Sequence, residues 1–269
     1  MKKIGFIGAG NMAGALIRGL LRSGRWKPED LWVSDPLDAQ LRRFKRVHKV
    51  EGTRDNRQLV RGSQTIVLAV KPQNLAQVLE EIRAEVTPKK LFLSIAAGFP
   101  LRRIEAGLGG EARVIRVMPN TPVLVGRGIS VAVAGSRATE ADVKAIVKLF
   151  KTVGEAVTIT GEDLLDAVTA LSGSGPAFVY HFAECLIEGG VRGGLPQSLA
   201  AQLAHATLAG AAAMLTESGL SVRELREMVT SPGGTTMAGL AALEQRGFRE
   251  AVIGAVETAT RRARELAAG

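Results

Sequence analysis

The first residues that could bind a ligand form the run Gly8-Ala9-Gly10-Asn11-Met12-Ala13. An apolar stretch typical of a strand precedes the run and good helix formers follow it, which is the context in which G-x-G-x-x-A binds a dinucleotide. Gly8 permits the tight turn, Gly10 lets backbone approach a pyrophosphate, and Ala13 keeps the helix close to the strand. A purely structural turn is the alternative, but the position between strand and helix favours a dinucleotide site.

The end of the next predicted strand bears on the choice of coenzyme. Asp35 lies about 20 residues beyond the glycines, where an acid would hold the ribose diol of NAD. Ser34 could equally occupy that place, and Arg42, Arg43 and Arg46 follow on the next predicted helix. A carboxylate would repel the 2′-phosphate of NADP, whereas serine and arginine side chains would favour it. The sequence therefore leaves NADH and NADPH both open.

Three later strand ends also bear on ligand binding, because ligands of doubly wound folds bind outside the carboxyl ends of the strands. Lys71 follows one strand and contacts either a ligand or only solvent at the sheet edge. Ala96, Ala97 and Gly98 follow another and carry no reactive group, so we expect them to let a flat ring pack against backbone. Asn120 offers an amide near the same edge.

Two turns in the second half of the chain are predicted to begin helices and to offer free N–H groups to an anion. They are Ser172-Gly173-Ser174-Gly175-Pro176 and Ser231-Pro232-Gly233-Gly234-Thr235-Thr236. Each could be an ordinary capped turn. Their occurrence together, beside a nucleotide motif, favours a small anionic substrate.

Groups that usually perform acid, base or metal chemistry are sparse. The three histidines, His48, His181 and His205, are scattered, so no metal site is predicted. Cys185 and the single tyrosine, Tyr180, are interpreted as packing residues. Such a sequence suits a reaction in which a bound cofactor carries the difficult step.

The elements that must position these residues change character midway. Strand-like runs are Lys3–Gly8, Leu31–Asp35, Thr65–Val70, Leu91–Ala96, Arg113–Met118, Ile129–Ala134 and Ala156–Thr160, with helical stretches at Asn11–Ser23, Pro72–Glu85 and Thr139–Thr152. Helices are predicted at Asp163–Arg192, interrupted at Ser172–Pro176, and at Pro196–Ser218, Val222–Thr230, Thr236–Gln245 and Phe248–Ala267. The alternation predicts an α/β, doubly wound, mainly parallel sheet in residues 1–162, followed by an all-helical domain in residues 163–269.

Composition narrows the class of protein. The 269 residues are 46% hydrophobic and 23% charged, which is typical of a globular chain. One cysteine allows no internal disulfide, so a cytoplasmic location is expected. Of the net charge of +9, much lies in residues 42–61, with eight basic residues against two acidic ones. That segment is either a solvated face or an anion-binding patch, and the low aromatic content makes nucleic acid the weaker interpretation.

The uncharged stretch from Gly193 to Thr216 is long enough to cross a membrane but contains proline, glutamine and histidine. We interpret it as a helix of a protein without a membrane span. Within it, small and apolar residues recur at helical spacing: Leu199, Leu203, Thr207, Gly210 and Met214. They are predicted to form either an internal core face or an interface between subunits.

Six segments, taken together and in this order, resemble pyrroline-5-carboxylate reductases. They are IGFIGAGNM (4–12), AVKP (69–72), SIAAG (94–98), RVMPNTP (116–122), LSGSGPAF (171–178) and SPGGTT (231–236). The resemblance implies NAD(P)H-dependent reduction of 1-pyrroline-5-carboxylate to L-proline, the last step of proline synthesis, without a metal. It also implies a Rossmann domain followed by a helical dimerisation domain, in a homodimer that in many members assembles further into a decamer.

The resemblance also implies roles for individual residues. Gly8 to Met12 match the pyrophosphate loop, and Asn56 matches an asparagine that contacts the cofactor. The nicotinamide surroundings match Val70, Lys71, Pro72, Ala96, Ala97 and Gly98. The substrate loop matches Ser231, Gly234, Thr235 and Thr236, with Thr236 placed to hydrogen-bond the ring nitrogen. The chain departs from the family at VSDP (33–36), where Asp35 opposes the common preference for NADPH.

Two other functions compete with this interpretation. A dehydrogenase related to those of 3-hydroxyacids would need a catalytic lysine near the start of the helical domain, and residues 163–188 contain none. A nucleotide sensor or nucleic-acid-binding protein would use the basic segment and lack turnover.

Overall fold

The computed structural model describes residues 2–268, and their contacts divide the chain into two compact units. The first unit comprises the chain up to Ser174 together with the residues from Ala259 onward, and the second is Gly175–Thr258. The sequence-based division at 162/163 lies earlier and does not include the return of the C-terminal segment to the first unit. The division at 162/163 separates a dinucleotide-binding domain from a dimerisation domain by function, and it stays a prediction.

The first unit contains one eight-stranded sheet. Its strands are β1 Lys2–Ile7, β2 Leu31–Ser34, β3 Glu51–Thr53, β4 Ser63–Leu68, β5 Leu91–Ser94, β6 Arg113–Pro119, β7 Gly128–Ala134 and β8 Gly154–Thr158. Their order is β3-β2-β1-β4-β5-β6-β7-β8. Every neighbouring pair is parallel except β6 and β7. The predicted doubly wound, mainly parallel sheet is confirmed, and its order reverses between β1 and β4, where ligands of such folds bind.

Helices connect the strands and make up the second unit. They are α1 Asn11–Arg22, α2 Asp38–His48, α3 Asn56–Gly62, α4 Pro72–Ile82, α5 Leu101–Leu108, α6 Glu140–Phe150, α7 Leu164–Val168, α8 Gly175–Arg192, α9 Gln197–Glu217, α10 Val222–Met228, α11 Thr235–Gln245 and α12 Phe248–Ala268. The second unit holds α8 to α11 and the first half of α12, as expected for an all-helical region.

Two apolar layers hold the sheet in place. In α1, Ala13, Leu16, Ile17 and Leu20 recur at helical spacing and are all buried against strands such as β1. On the other layer, α4 and α5 bury apolar side chains against β4 and β5. This packing fixes the end of β1 against the start of α1, which is where the glycine run lies.

The α-helix is interrupted beside Ser172–Pro176, as predicted, because α7 ends at Val168 and α8 begins at Gly175. Thr169–Gly173 forms a π turn between α7 and α8. The hydroxyl of Ser172 donates to the carbonyl of Val168 at 2.9 Å, and the N–H of Ser174 donates to the carbonyl of Thr169 at 2.8 Å. The interruption is therefore a π turn followed by a bend at Ser174, after which α8 begins.

Candidate functional site

The glycine run forms a loop between β1 and α1 in which its two glycines have different tasks. Gly8 has a φ of +101°, and a Cβ there would lie 2.7 Å from the carbonyl oxygen of Ala69. Gly10 has an extended backbone, and a Cβ there would meet no atom within 4 Å. Gly8 is thus required by the turn, whereas Gly10 leaves open space in front of the helix.

The start of α1 offers backbone donors to that open space. The first bond inside the helix runs from the N–H of Gly14 to the carbonyl of Gly10 at 3.0 Å. No side chain caps this end, and no acidic residue lies in the first turn. The N–H groups of Asn11, Met12 and Ala13 have no partner among the described residues, so they fit a bound phosphate.

Ser34 and Asn56 form a buried polar connection at the end of β2. Ser34 is fully buried, and its hydroxyl donates to Oδ1 of Asn56 at 2.6 Å. The amide of Asn56 donates through Nδ2 to Oε2 of Glu81 at 2.8 Å. Glu81 lies on α4 and was missed by the sequence reasoning, because no spacing pattern links it to the strand end. The side-chain oxygen and the side-chain nitrogen of Asn56 therefore each form a hydrogen bond within the protein.

Asp35 directs its carboxylate back to the glycine loop. Its Oδ2 accepts the N–H of Ala9 at 2.9 Å, and its Oδ1 accepts the N–H of Leu37 at 2.9 Å. Ser34 and Asp35, which the sequence left as equal candidates, thus differ: the serine is buried and engaged, and the acid stands beside the loop. The assignment of either residue to coenzyme binding stays a prediction.

Several basic side chains of residues 42–61 bond to other groups of the protein. Three ion pairs join Lys45 to Glu51 at 3.0 Å, Arg54 to Asp38 at 2.7 Å and Arg61 to Glu85 at 2.6 Å. Nη2 of Arg43 donates to the carbonyl of Ala9 at 3.2 Å, and its guanidinium lies 5.3 Å from the centre of the Phe44 ring. Three of the eight basic residues are therefore paired with acidic side chains, and Arg43 touches the glycine loop.

The ends of β4 and β5 border a cavity of about 470 Å³. Pro72, Ala97 and Gly98 line it together with residues of α12. Pro72 is the first residue of α4, and Gly98 has a φ of +67° that aims the chain toward α5. The exposed side chain of Lys71 and the half-buried Val70 precede Pro72, and Ala96 is buried. The predicted residues of these two strand ends thus lie at the carboxyl edge of the sheet, beside a space suited to a flat ring.

A larger cavity, of about 680 Å³, lies at the opposite edge of the sheet. Its lining includes Ser63, Leu91 and Arg113, which begin β4, β5 and β6. The guanidinium of Arg113 is already bonded to Asp142 at 2.6 Å. Ligands of doubly wound sheets bind at the carboxyl ends of the strands, so this cavity is not the candidate site.

Asn120 follows β6 and has a structural bond of its own. Its Oδ1 accepts the N–H of Ile129, in β7, at 3.0 Å. The residue is 9% exposed. The side-chain oxygen of Asn120 therefore fixes the connection between the two antiparallel strands. The contact of this residue with the coenzyme stays a prediction.

In the second unit, the Ser231–Thr236 segment forms a tight turn directly before α11. The N–H of Gly234 donates to the carbonyl of Ser231 at 3.0 Å, and Gly233 has a φ of +71°. Proline followed by a glycine of positive φ is the signature of a type II turn. The helix begins with Thr235, and no side chain caps it.

The same turn leaves donors free and is closely packed on one side. The first bond of α11 runs from Ala238 N–H to the carbonyl of Gly234 at 3.3 Å, so the N–H groups of Thr235, Thr236 and Met237 have no partner among the described residues. A Cβ on Gly234 would lie 2.4 Å from Oγ of Ser231. Of the two predicted anion sites, this one keeps its free donors, whereas in the other the Ser172 hydroxyl and the Ser174 N–H already bond to backbone carbonyls.

The groups with shifted pKa values lie outside these loops. Burial lowers the pKa of the Lys90 ammonium, which donates to the carbonyls of Val60 at 2.6 Å and Ser63 at 2.9 Å near the end of α3. Burial, together with the charges of Arg18 and Arg43, lowers the pKa of His48. Among residues 2–268 no three histidine, cysteine or acidic side chains are grouped to hold a metal ion. The arrangement suits binding and orientation of a cofactor and an anion.

Family profiles cover most of the chain. The profile described as pyrroline-5-carboxylate reductase dimerisation matches residues 162–266. The profile described as NADP oxidoreductase coenzyme F420-dependent matches residues 3–98. The first profile covers the helical region, and the second covers the part of the Rossmann-like sheet from β1 to β5.

Three whole proteins that are 34–43% identical to this chain are named as pyrroline carboxylate reductases. A pyrroline-5-carboxylate reductase of Methanosarcina acetivorans is 43% identical over 265 residues, which is 98% of each chain. A solved structure of a pyrroline-5-carboxylate reductase from Coxiella burnetii has a TM-score of 0.93 at 37% identity, covering 98% of each chain. The Plasmodium falciparum pyrroline carboxylate reductase, solved with NADP bound, has a TM-score of 0.88 at 34% identity, covering 99% of this chain and 98% of that one.

Proposed function

The chain belongs to the pyrroline-5-carboxylate reductase family, and from that premise we propose how its residues reduce 1-pyrroline-5-carboxylate to L-proline with NAD(P)H. The observation that carries the function is the similarity along the whole chain, which joins a dinucleotide loop to the family's own helical region. The protein is an oxidoreductase, and NAD(P)H supplies the hydride when bound.

The residues of the first unit fit a dinucleotide. The open space before Gly10 and the free N–H groups of α1 suit a pyrophosphate. We assign the pyrophosphate to Gly8–Met12, the adenosine ribose to the region of Ser34, Asp35 and Asn56, and the nicotinamide to the strand ends. The last group comprises Val70, Lys71, Pro72, Ala96, Ala97, Gly98 and Asn120. Fixing the ring at this edge would orient it for transfer, which is a major part of catalysis for two bound reactants.

The residues of the Ser231–Thr236 turn are assigned to the substrate. Free N–H groups at the start of α11 suit a carboxylate, with Ser231, Gly234 and Thr235 shaping the turn. Thr236 is assigned as the catalytic residue, with its hydroxyl bonded to the ring nitrogen of the substrate. A protonated cyclic imine is already electrophilic at carbon, and its N–H can donate to the Thr236 hydroxyl, so a group that orients the ring suffices where a strong acid would otherwise be needed.

A substrate comparison tests the function. The purified protein is given NADH or NADPH with pyrroline-5-carboxylate, with 3-hydroxy acids in the presence of the oxidised coenzymes, or with no substrate. We expect reduced coenzyme to be consumed with the imine, and neither coenzyme to change with the hydroxy acids. Turnover of the hydroxy acids alone would favour the competing dehydrogenase, and no turnover with either class would favour a binding protein.

Dimerisation through the helical region is the second part of the proposal. The profile named for dimerisation covers 162–266, which supports a homo-oligomer. On α9, Leu199, Leu203 and Met214 are 41%, 48% and 44% exposed. This helix is also long and apolar enough to cross a membrane. In the single chain, 11% of its most apolar 18-residue stretch is buried. A second subunit would cover this face, and we propose a dimer, and a decamer built from dimers, with no membrane partner.

The proposed location is the cytoplasm. The single cysteine, which leaves no internal disulfide to form, supports a reducing compartment. Recovery of the active protein in the supernatant after cell lysis and high-speed centrifugation is the expected result, whereas recovery with the membrane pellet would contradict it.

A further inference from the structure

The carboxylate of Asp35 is held at both oxygens by backbone. Ala9 N–H binds Oδ2 at 2.9 Å and Leu37 N–H binds Oδ1 at 2.9 Å. Rotating the side chain would break both bonds and leave the Ala9 N–H of the glycine loop without its acceptor. The fold therefore holds the acid beside the loop, and turning it away to make room for a ligand would cost both hydrogen bonds.

The fixed carboxylate still has accepting capacity. An ionised carboxylate offers about four lone-pair positions, two on each oxygen. The two backbone donors occupy one position on each oxygen, so each oxygen can accept one more hydrogen bond. The ribose of an unphosphorylated dinucleotide presents two neighbouring hydroxyls, which match this remaining pair of acceptors.

The surrounding charges give a 2′-phosphate little compensation. Asp38, at the start of α2, is paired with Arg54 at 2.7 Å, so this arginine already has an acidic partner. The hydroxyl of Ser34 is buried and donates to Asn56. Arg43 is the cation in contact with the loop, and it donates to the carbonyl of Ala9. A phosphate beside the loop would thus meet a fixed anion and no free serine hydroxyl, and the arginine that contacts the loop already donates to a backbone carbonyl.

From these contacts we propose that Asp35 makes this chain select NADH over NADPH, by accepting both ribose hydroxyls and repelling a 2′-phosphate. The inference rests on the proposed function, because it concerns the same coenzyme site. It assigns Asp35 two tasks, holding the glycine loop and reading the ribose.

Binding without substrate tests the proposal. The dissociation constants of NADH and NADPH are measured by the change in nucleotide fluorescence, and those of adenosine 5′-monophosphate and adenosine 2′,5′-bisphosphate by competition. We expect the wild-type chain to bind NADH about ten- to 100-fold more tightly than NADPH, the range expected for a hydrogen bond to a charged group. The two adenosine nucleotides should follow the same order.

Two variants separate the effect of this carboxylate from a general effect of charge. Asp35→Asn removes the charge at nearly constant shape and should lower the preference for NADH about tenfold or more. Glu51→Gln makes the same charge change at the start of the neighbouring strand β3, where Glu51 is exposed and paired with Lys45, and should leave the preference within about twofold. If Asp35→Asn binds too weakly to measure, Asp35→Ser replaces it, and the two adenosine nucleotides still give the wild-type preference.

Equal or tighter binding of NADPH by the wild type would overturn the inference, as would an unchanged preference in Asp35→Asn. Neither result touches the reductase function, which would stand on turnover of pyrroline-5-carboxylate with NADPH. Conversely, selective binding of NADH without any turnover of that substrate would leave the inference standing and overturn the function.

Discussion

The two glycines of the coenzyme loop should respond to substitution in opposite ways. Gly8→Ala places a side chain on a backbone with a φ of +101° and a Cβ 2.7 Å from the Ala69 carbonyl. The left-handed conformation alone costs about 1 to 2 kcal/mol, and the close contact adds to it. A total of about 3 kcal/mol lowers the Tm by about 6–12 °C for a domain of this size.

Gly10→Val should spare the fold and remove coenzyme binding. A Cβ at Gly10 meets no atom within 4 Å, and the backbone there is extended. Valine is a poorer helix cap than glycine, which costs about 1 kcal/mol and a Tm decrease of about 2–4 °C. The side chain would occupy the space assigned to the pyrophosphate, so NADH affinity should fall at least about 100-fold, or about 2.7 kcal/mol.

Thermal unfolding and nucleotide fluorescence, measured on both variants and the wild type, check these values together. Gly8→Ala serves as the matched control, because it perturbs the same loop through the fold. A folded Gly10→Val protein with wild-type NADH affinity would refute the assignment of the loop. A Gly8→Ala protein with an unchanged Tm would refute the account of the turn.

Three further predictions concern the substrate loop, the subunit interface and pH. Thr236→Ala should lower turnover about five- to 150-fold, because it removes one hydrogen bond of about 1 to 3 kcal/mol, while Thr236→Ser should keep most activity. Stopped-flow rates and NADH affinity, measured side by side, check this. Wild-type turnover of the alanine variant would contradict the role of Thr236. Leu203→Lys, on an exposed face of α9, should shift light scattering toward the monomer with an unchanged helical circular dichroism spectrum, and an intact oligomer would contradict the interface. Burial opposes ionisation of Asp142, but hydrogen bonds from Thr139 and the charge of Arg113 outweigh it and lower the pKa of this carboxyl below the ordinary 3.8. The stability that the ionised carboxylate contributes is therefore present above about pH 4 and is lost as the pH falls through the lowered pKa. Asp142→Asn should therefore lower the Tm by about 4–8 °C at pH 7, for a charged hydrogen bond of about 2 kcal/mol, and by less at pH 3; an equal decrease at both pH values would refute the linkage.

Long apolar runs and the glycine pattern were sufficient to predict most of the sheet and the loop before α1. The three-residue strand β3, Glu51–Thr53, was missed because it contains no apolar run and lies at the sheet edge. Helices α3 and α5 were missed because seven or eight residues give little helical periodicity.

Contacts between distant segments account for what the sequence could not predict of the site. The bond between Ser34 and Asn56 joins residues 22 positions apart, and the carboxylate of Asp35 reaches Ala9 across 26 positions. Residue types suggested that either Ser34 or Asp35 reads the ribose, but only the fold buries the first and fixes the second. The π turn at Thr169–Gly173 was missed for a related reason, because its hydroxyl-to-carbonyl bonds keep a glycine-rich segment helical.

Transfer of label from coenzyme to product tests the central claim most directly. The protein is incubated with pyrroline-5-carboxylate and NADH carrying deuterium at the transferable position of C4, and the proline formed is analysed by mass spectrometry. We predict proline with one deuterium at the ring carbon that was double-bonded to nitrogen in the substrate. Its amount should equal that of the NADH oxidised. Proline without the label, or oxidation of NADH without proline, would contradict direct hydride transfer to the imine.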